Sequence, residues 1–278
     1  MIGDAFPKPV SATNITARDL GDIVIYAHSD DSGAVRNLEA ESPVDQLAEL
    51  ISILAEQSPI FFIDVGCNYG VQLCRTARHI ASLTDDYRII GMDPGRAGEL
   101  IPYTLMKNGL SDKVTFLPVA AWKEAGVVEV FSEEGNSLNN RIVKGNKDVS
   151  WIASALTLSH IFDDLGPGAD QPLFAKIDTQ GADLEVLIGA RQYLPQLIFV
   201  SELVPWACGD RIDIPVFIET LKSTHAAFDL GATRDRCEPI DDVKAFVKRV
   251  YEEAPFWTDF LCVPHRFASL IPTKLGRV

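Results

Sequence analysis

The feature that most constrains the fold is an alternation of short, mainly apolar segments with amphipathic segments. The apolar segments are Ile60–Ile63, Arg88–Met92, Val114–Leu117, Phe174–Ile177 and Leu197–Val200. The amphipathic segments between them have helical periodicity and include Val71–Leu83, Ala97–Asn108 and Asp183–Leu194. Continuous apolar segments are typical of strands buried on both faces, and their alternation with helices predicts a mostly parallel α/β sheet with right-handed crossovers. A later helix, Pro215–Thr224, and two later strands, Ala227–Leu230 and Thr258–Val263, extend this pattern.

The absence of a linker rich in Pro, Gly or Ser predicts a single domain over residues 1–278. Residues 1–56 form an N-terminal extension, in which Pro43–Glu56 is predicted to be a helix with one apolar face. Residues 57–264 form the core. A long insertion, at about residues 125–172, contains a strand at Val127–Phe131 and is where a lid or substrate loop would lie.

The charge balance excludes several classes of partner. The chain has 278 residues and a formal net charge of −14, which disfavours nucleic acid and anionic lipid as partners. No stretch of 18 uninterrupted apolar residues is present, and the N-terminus lacks a signal-peptide pattern. The five cysteines have no C-x-x-C spacing, so we expect reduced thiols, no structural zinc site and a cytoplasmic protein.

A glycine-containing turn after the first core strand reads Asp64-Val-Gly-Cys-Asn-Tyr-Gly70. Glycines here let a ligand approach the backbone, although Gly66 and Gly70 do not fit the G-x-G-x-x-G dinucleotide pattern. Asp64 could accept a hydrogen bond from a ligand ammonium, while amides at the helix start could face a carboxylate. Asp93, which ends the second strand, is placed to bind both ribose hydroxyls, or alternatively to cap the next helix. A nucleoside joined to an amino acid is S-adenosylmethionine, and we expect this cofactor.

A second group of polar residues follows the fourth and fifth strands. The fourth ends Lys176-Ile-Asp-Thr-Gln-Gly-Ala-Asp183, and Glu202 ends the fifth. If these strands are adjacent, Asp178 and Glu202 share a site and raise each other's pKa. The alternative is that Lys176 neutralises one of them in a structural ion pair.

These two motifs, at 64–70 and 176–183 with the Glu202 strand after them, resemble the FkbM-type S-adenosylmethionine-dependent methyltransferases. The resemblance spans about Phe61 to Glu202. It implies a class I, Rossmann-like fold: a seven-stranded, mostly parallel sheet with one antiparallel strand and helices on both faces. It also implies O-methylation of a sugar, natural product or glycan precursor. The chain departs from the family pattern at Gln180 and Asp183, where Glu is usual, and at Cys67, where Ala is usual.

On this basis we assign the site residues. Those expected to bind the cofactor are Asp64, Gly66, Cys67, Asn68, Tyr69, Gly70, Asp93, Ala120 and Asp178. Asp178 is the expected general base or orienting carboxylate, Lys176 or Glu202 supports it, and His160 is the second candidate for the base. Trp206 could face an acceptor ring. No metal is assigned, and the expected partner is a small-molecule or saccharide acceptor. The alternatives are an NAD-dependent oxidoreductase and a non-catalytic domain that binds S-adenosylmethionine.

Overall fold

The N-terminal segment contains a small hairpin and two helices. We describe the protein from a computed structural model, which describes residues 14–38, 44–143 and 149–270. The elements of this segment are β1 (Ile15–Asp19), β2 (Val24–His28), α1 (Ser32–Asn37) and α2 (Asp45–Leu54). The helix predicted at Pro43–Glu56 is confirmed over Asp45–Leu54 as α2, and Pro43 lies outside the described residues. Its buried residues Leu47, Leu50, Ile51 and Leu54 form the apolar face that the sequence indicates.

The centre of the molecule is a large mixed sheet. Its strands are β3 (Ile60–Val65), β4 (Tyr87–Met92), β5 (Val114–Leu117), β10 (Leu173–Ile177), β11 (Leu197–Leu203), β12 (His225–Gly231), β13 (Glu238–Pro239) and β14 (Thr258–Pro264). Their spatial order is β13-β12-β14-β11-β10-β3-β4-β5. The strands from β11 to β5 pair in parallel, and β14 runs antiparallel to both of its neighbours. This confirms the expected seven-stranded, Rossmann-like sheet with one antiparallel strand, to which the two-residue β13 adds an edge.

Helices cover both faces of this sheet. They are α3 (Val71–Leu83), α4 (Ile101–Lys107), α5 (Leu158–Leu165), α6 (Asp183–Gly189), α7 (Pro205–Cys208), α8 (Ile214–Lys222) and α9 (Val243–Glu252). Alternate residues of β3 belong to two apolar clusters, with Phe62 on one face and Phe61 and Ile63 on the other. This double burial explains why the strand sequences are continuously apolar.

Two predicted helices are shorter than the periodicity indicates. The helix predicted at Ala97–Asn108 divides into a 3₁₀ turn at Ala97–Leu100 and the helix α4. Pro102 sets the start of α4, because a proline costs nothing in the first turn of a helix, where its missing N–H would have no partner. The helix predicted at Asp183–Leu194 ends earlier, at Gly189. A Cβ at this glycine would clash with the carbonyl oxygen of Trp122. The helix α9 lies outside the predicted elements, although Phe246, Val247 and Val250 give it a buried face.

The insertion forms a second sheet rather than a loop. Its strands are β7 (Gly126–Glu133), β8 (Asn136–Val143) and β9 (Trp151–Leu156). The two-residue β6 (Ala120–Ala121), just before the insertion, joins this sheet, and the spatial order is β6-β9-β7-β8. The predicted strand at Val127–Phe131 is confirmed as part of β7. Asn68 and Ser137 exchange side-chain hydrogen bonds, which attaches β8 to the turn after β3. The insertion therefore lies over the carboxyl edge of the large sheet.

None of the helices in the described parts of the chain is both long and apolar enough to cross a membrane. All five cysteines are free.

Candidate active site

A cavity of about 480 Å³ opens at the carboxyl ends of β3, β4, β10 and β11. Its size is in the range of small-molecule sites. In open parallel sheets ligands bind at this edge, so the fold and the cavity indicate the same place. The candidate residues that line the cavity are Gly66, Cys67, Asn68, Asp93, Ala120, Lys176, Asp178, Glu202 and Trp206. The site thus brings together both motifs that the sequence analysis singled out.

The turn after β3 comes close to the loop after β10. Gly66 has φ of 76°, and a Cβ there would clash with the carbonyl oxygen of Asp178. Only glycine fits both this backbone angle and this contact. The amide of Asp178 donates to the carbonyl of Val65 (3.0 Å), which joins the two loops. Gly66 is therefore required for the two halves of the site to meet.

Asp93 lies at the end of β4 beside this turn. Its Oδ2 accepts a hydrogen bond from the amide of Asn68 (2.9 Å), and its Oδ1 accepts one from the amide of Gly95 (2.7 Å). Burial raises the pKa of Asp93 to about 6, and the two amides oppose that rise. Each carboxylate oxygen has a second lone pair, so Asp93 can accept further hydrogen bonds from a ligand.

Asp178 and Lys176 form an ion pair at the cavity. The Nζ of Lys176 is 3.3 Å from Oδ2 of Asp178 and 3.5 Å from Oδ1 of Asp64. Burial raises the pKa of Asp178, but the Lys176 ammonium and the Arg234 guanidinium outweigh it, so the net shift is downward. Asp178 is therefore ionised at neutral pH.

Glu202, at the end of β11, has the opposite tendency. Burial and the nearby carboxylates of Asp178, Asp183 and Asp259 raise its pKa well above the ordinary value. Asp178 and Glu202 lie close together, as expected for the ends of adjacent strands, and Gln180 Nε2 donates to both (3.0 and 3.1 Å). The expected rise in pKa occurs at Glu202 only, because at Asp178 the charges of Lys176 and Arg234 together outweigh the effect of burial.

Asp64 and Tyr69 lie behind the cavity and are not among its lining residues. Asp64 is fully buried, and the ammonium beside it is that of Lys176, its register partner in the sheet. Burial raises the pKa of Asp64, against the opposing effect of Lys176. The Tyr69 hydroxyl donates to Asp31 (2.7 Å). Both side chains therefore have partners within the protein.

Gly70 and His160 are also outside the cavity lining. Gly70 precedes the first residue of α3, with φ of 83°. The ring Nδ1 of His160 is 2.8 Å from the hydroxyl of Thr157, in the first turn of α5. The structure thus does not bring His160 together with Asp178 and Glu202.

Several lining residues were not identified from the sequence. Arg234 follows β12, and its Nε donates to Asp259 at 2.5 Å. Asn140 of β8 and Trp151 of β9 come from the insertion, and Trp257 precedes β14. The position of Arg234 just after a strand could have been a signal, whereas the approach of the insertion to the cavity has none in the sequence.

Comparison with known proteins gives structural similarity only. No protein-family model and no curated protein sequence matches the chain. Similar solved structures include the O-methyltransferase from Bacillus cereus in complex with SAH, at 12% identity over 83% of this chain and 86% of that chain, with a TM-score of 0.40. The methyltransferase FkbM from Methylobacillus flagellatus KT is 15% identical over 84% of this chain and 61% of that chain, with a TM-score of 0.43. The O-methyltransferase TomG from Streptomyces achromogenes, involved in tomaymycin synthesis and in complex with SAM, is 12% identical over 84% and 87% of the two chains, with a TM-score of 0.42.

Proposed function

We propose that the protein is an S-adenosylmethionine-dependent O-methyltransferase that acts on a hydroxyl group of a small molecule or saccharide. The observation that supports the proposal is that two groups of residues line the same cavity. One group, at β3 and β4, contains Gly66, Asn68 and Asp93, and the other, at β10 and β11, contains Asp178 and Glu202. The first suits a nucleoside, and the second suits a hydroxyl that must lose a proton.

The residues of the first group fit the cofactor. Gly66 lines the cavity, and Asp93 retains acceptor capacity for ribose hydroxyls. Asn140 Oδ1 and Trp151 Nε1 are buried without hydrogen-bond partners, and both residues line the cavity. An adenine base offers both a donor amine and acceptor ring nitrogens, so an acceptor and a donor left unpaired suit its polar edge.

The residues of the second group fit proton removal. When bound, S-adenosylmethionine supplies an activated methyl group. Asp178 would hold the acceptor hydroxyl and take its proton as the methyl group passes from sulfur to the hydroxyl oxygen, with the carbon–sulfur bond broken and S-adenosylhomocysteine as the leaving group. Lys176 keeps Asp178 ionised for this role. Glu202, with its raised pKa, orients the acceptor, and Trp206 and Trp257 provide apolar surface for a ring. Alignment of the hydroxyl with the methyl group contributes much of the rate, about 7–11 kcal/mol in favourable cases.

Ligand-induced stabilisation tests the cofactor. S-adenosylmethionine and S-adenosylhomocysteine should each raise the melting temperature, with a stabilisation of roughly 2.7 kcal/mol when the ligand is at 100 times its Kd. NAD at the same concentration should leave the melting temperature unchanged. Absence of any shift with both adenosyl ligands, checked by calorimetric titration, would contradict the proposal.

The pH dependence of this binding follows from Asp93. Its pKa of about 6 in the free protein means that it is half protonated near that pH, and protonation removes the negative charge and one of the lone pairs with which it accepts ribose hydroxyls. Affinity for S-adenosylhomocysteine should therefore fall as the pH is lowered through 6, by up to about tenfold per pH unit. Titration of the Asp93→Asn variant should show weaker binding without that decrease. A wild-type affinity that stays constant from pH 7 to pH 5 would remove Asp93 from the ribose site.

Methyl transfer tests the reaction. Tritiated methyl from S-adenosylmethionine should enter an acceptor in an extract of the source cells, and the Asp178→Asn variant should lose about 10²–10⁴-fold of that rate. Its affinity for S-adenosylhomocysteine should remain nearly unchanged, because we place Asp178 with the acceptor. A large loss of that affinity would instead support the cofactor-binding role that the sequence analysis also expects for Asp178. A variant that retains the wild-type rate would show that Asp178 is not the base.

A further inference from the structure

Gln180 connects two carboxyl groups that come from different strands. Its Nε2 is 3.0 Å from Asp178 Oδ1, after β10, and 3.1 Å from Glu202 Oε2, on β11. All three residues line the cavity. Because both neighbours are acceptors, the nitrogen of the amide must face them, and each of its two hydrogens is used by one carboxyl group.

The backbone around Gln180 is held in a defined conformation. Gln180 has φ of 55°, a left-handed angle that non-glycine residues rarely adopt. The Asp183 carboxylate accepts from the amides on both sides, those of Thr179 and Gly181, each at 2.9 Å. Arg211 donates to the Gly181 carbonyl (2.6 Å). A non-glycine residue at such an angle is retained where the surroundings determine it, which is common at functional sites.

The charges around the pair make an uncharged donor valuable. The ionisable side chains that influence Asp178 and Glu202 are Lys176, Arg234, Asp64, Asp183 and Asp259. Lys176 is shared with Asp64, and Arg234 is bound to Asp259. A glutamate at position 180 would add a further carboxyl group and, when ionised, would have no hydrogen to donate.

We propose that Gln180 is a positioning residue that holds Asp178 and Glu202 side by side at the cavity. By donating one hydrogen to each carboxyl group, it fixes the direction of Asp178 toward the acceptor without adding charge. This inference rests on the proposed function for the reaction that the pair serves. The contact between Gln180 and Asp178 can nevertheless be tested without an acceptor.

The test is a titration of the Asp178 and Glu202 carboxyl carbons by NMR, in protein with ¹³C-labelled Asp and Glu side chains. Asp178→Asn and Glu202→Gln assign the two signals. In Gln180→Leu the Asp178 midpoint should rise by about one pH unit, because a hydrogen bond to the charged form is lost. In Gln180→Glu it should rise further, because a like charge replaces the donor. Once an acceptor is found, the acidic limb of the kcat profile should move with the midpoint while KM for S-adenosylmethionine stays constant.

A matched control is Gln192→Leu. Gln192 donates to Asp163 (3.2 Å) at an exposed site, so its loss should leave the Asp178 midpoint unchanged. Gln180→Glu is isosteric and carries the test if Gln180→Leu does not fold. An Asp178 midpoint that is the same in wild type and the folded Gln180 variants would overturn the inference. Failure of the wild type to bind S-adenosylmethionine would instead overturn the proposed function, and the midpoints would still report on Gln180.

Discussion

Lys176 lies between a carboxylate inside the sheet and a carboxylate at the cavity. The parallel register of β10 and β3 places Lys176 directly opposite Asp64, so the two side chains share one face. Asp64 is fully buried, and the Lys176 side chain is 7% exposed. An isolated charge at such depth is costly, so this ion pair has a structural role as well as a role at the site.

Replacing Lys176 by Met should destabilise the protein strongly. The change leaves Asp64 without its cation, and loss of one partner of a buried pair typically costs about 3–5 kcal/mol. Urea unfolding at pH 7 measures the difference. Lys248→Met is the control, because Lys248 pairs with Glu252 on the exposed surface and should cost about 0–1 kcal/mol. Equal effects of the two changes would show that the Lys176 pair contributes no more than an exposed one.

Asp183 predicts how stability changes with pH. Burial and the charge of Asp178 raise its pKa to about 7, above the ordinary value of 3.8. Between those values the folded state binds more protons at this residue than the unfolded state, so Asp183 makes the free energy of unfolding fall as pH rises toward 7. Urea unfolding from pH 5 to pH 8 should show a negative slope that is smaller in Asp183→Asn. A variant with the same slope as the wild type would assign the dependence to other groups.

The sequence identified the residues at strand ends better than their partners. Asp93 and Asp178 directly follow buried strands, and Glu202 lies near the end of another. Parallel packing brings the ends of neighbouring strands to one edge of the sheet, where all three residues line the cavity. The hydrogen bonds of Gln180 depend on its left-handed backbone angle, and the hydrophobic periodicity of the sequence does not predict such an angle. The prediction for His160 was less successful. Its place in the insertion does not determine the direction of its side chain.

Polar contacts hold the strand β8 at both of its ends. At one end the amide of Ser137 donates to Asp31 (3.1 Å), whose other oxygen accepts from the Tyr69 hydroxyl (2.7 Å). At the other end Arg211 donates to the Ile142 carbonyl (3.3 Å). Asp31 therefore connects the N-terminal segment, the glycine-containing turn and the insertion.

Asp31→Ala should loosen β8. The change leaves the Ser137 amide and the buried Tyr69 hydroxyl without this acceptor, at about 1–3 kcal/mol for each group left unpaired. Hydrogen exchange followed by mass spectrometry should show faster exchange in β8 than in the wild type, with β10 unchanged. The control Asp22→Ala removes an exposed ion pair with Arg75 and should leave exchange in β8 as it is. Unchanged exchange in Asp31→Ala would show that other contacts hold the strand.

The elements of the large sheet were more predictable than those of the insertion. Continuous apolar strands such as β3 and β10 are buried on both faces, so composition alone marks them. The strand β8, Asn-Ser-Leu-Asn-Asn-Arg-Ile-Val, is partly exposed along its length, and its sequence has little β-propensity at the asparagines. Its pairing with β7 is a local hairpin around the two-residue turn Glu134-Gly135, so the glycine of that turn, with φ of 72°, is the sequence signal for β8 rather than the composition of the strand.

The N-terminal segment and the large sheet share one apolar cluster. Ile25 of β2 and Leu50 of α2 belong to the same cluster as Phe62 of β3 and Phe174 of β10. Burial of this apolar surface couples the stability of the segment to that of the sheet, because separating them would expose apolar side chains of both to water. The predicted single domain therefore implies that these parts unfold together.

Leu50→Ala tests this coupling. Leu50 is fully buried in α2, and its truncation should cost about 2–5 kcal/mol. If the segment and the sheet unfold as one unit, tryptophan fluorescence and far-ultraviolet circular dichroism should give a single coincident urea transition, shifted to lower urea in the variant. Val216→Ala, at a site that is 60% exposed, should shift it by no more than about 0.5 kcal/mol. Two separate transitions, with only the first moved by Leu50→Ala, would divide the chain into two units. The four tryptophans lie outside the N-terminal segment, so their fluorescence follows the rest of the chain.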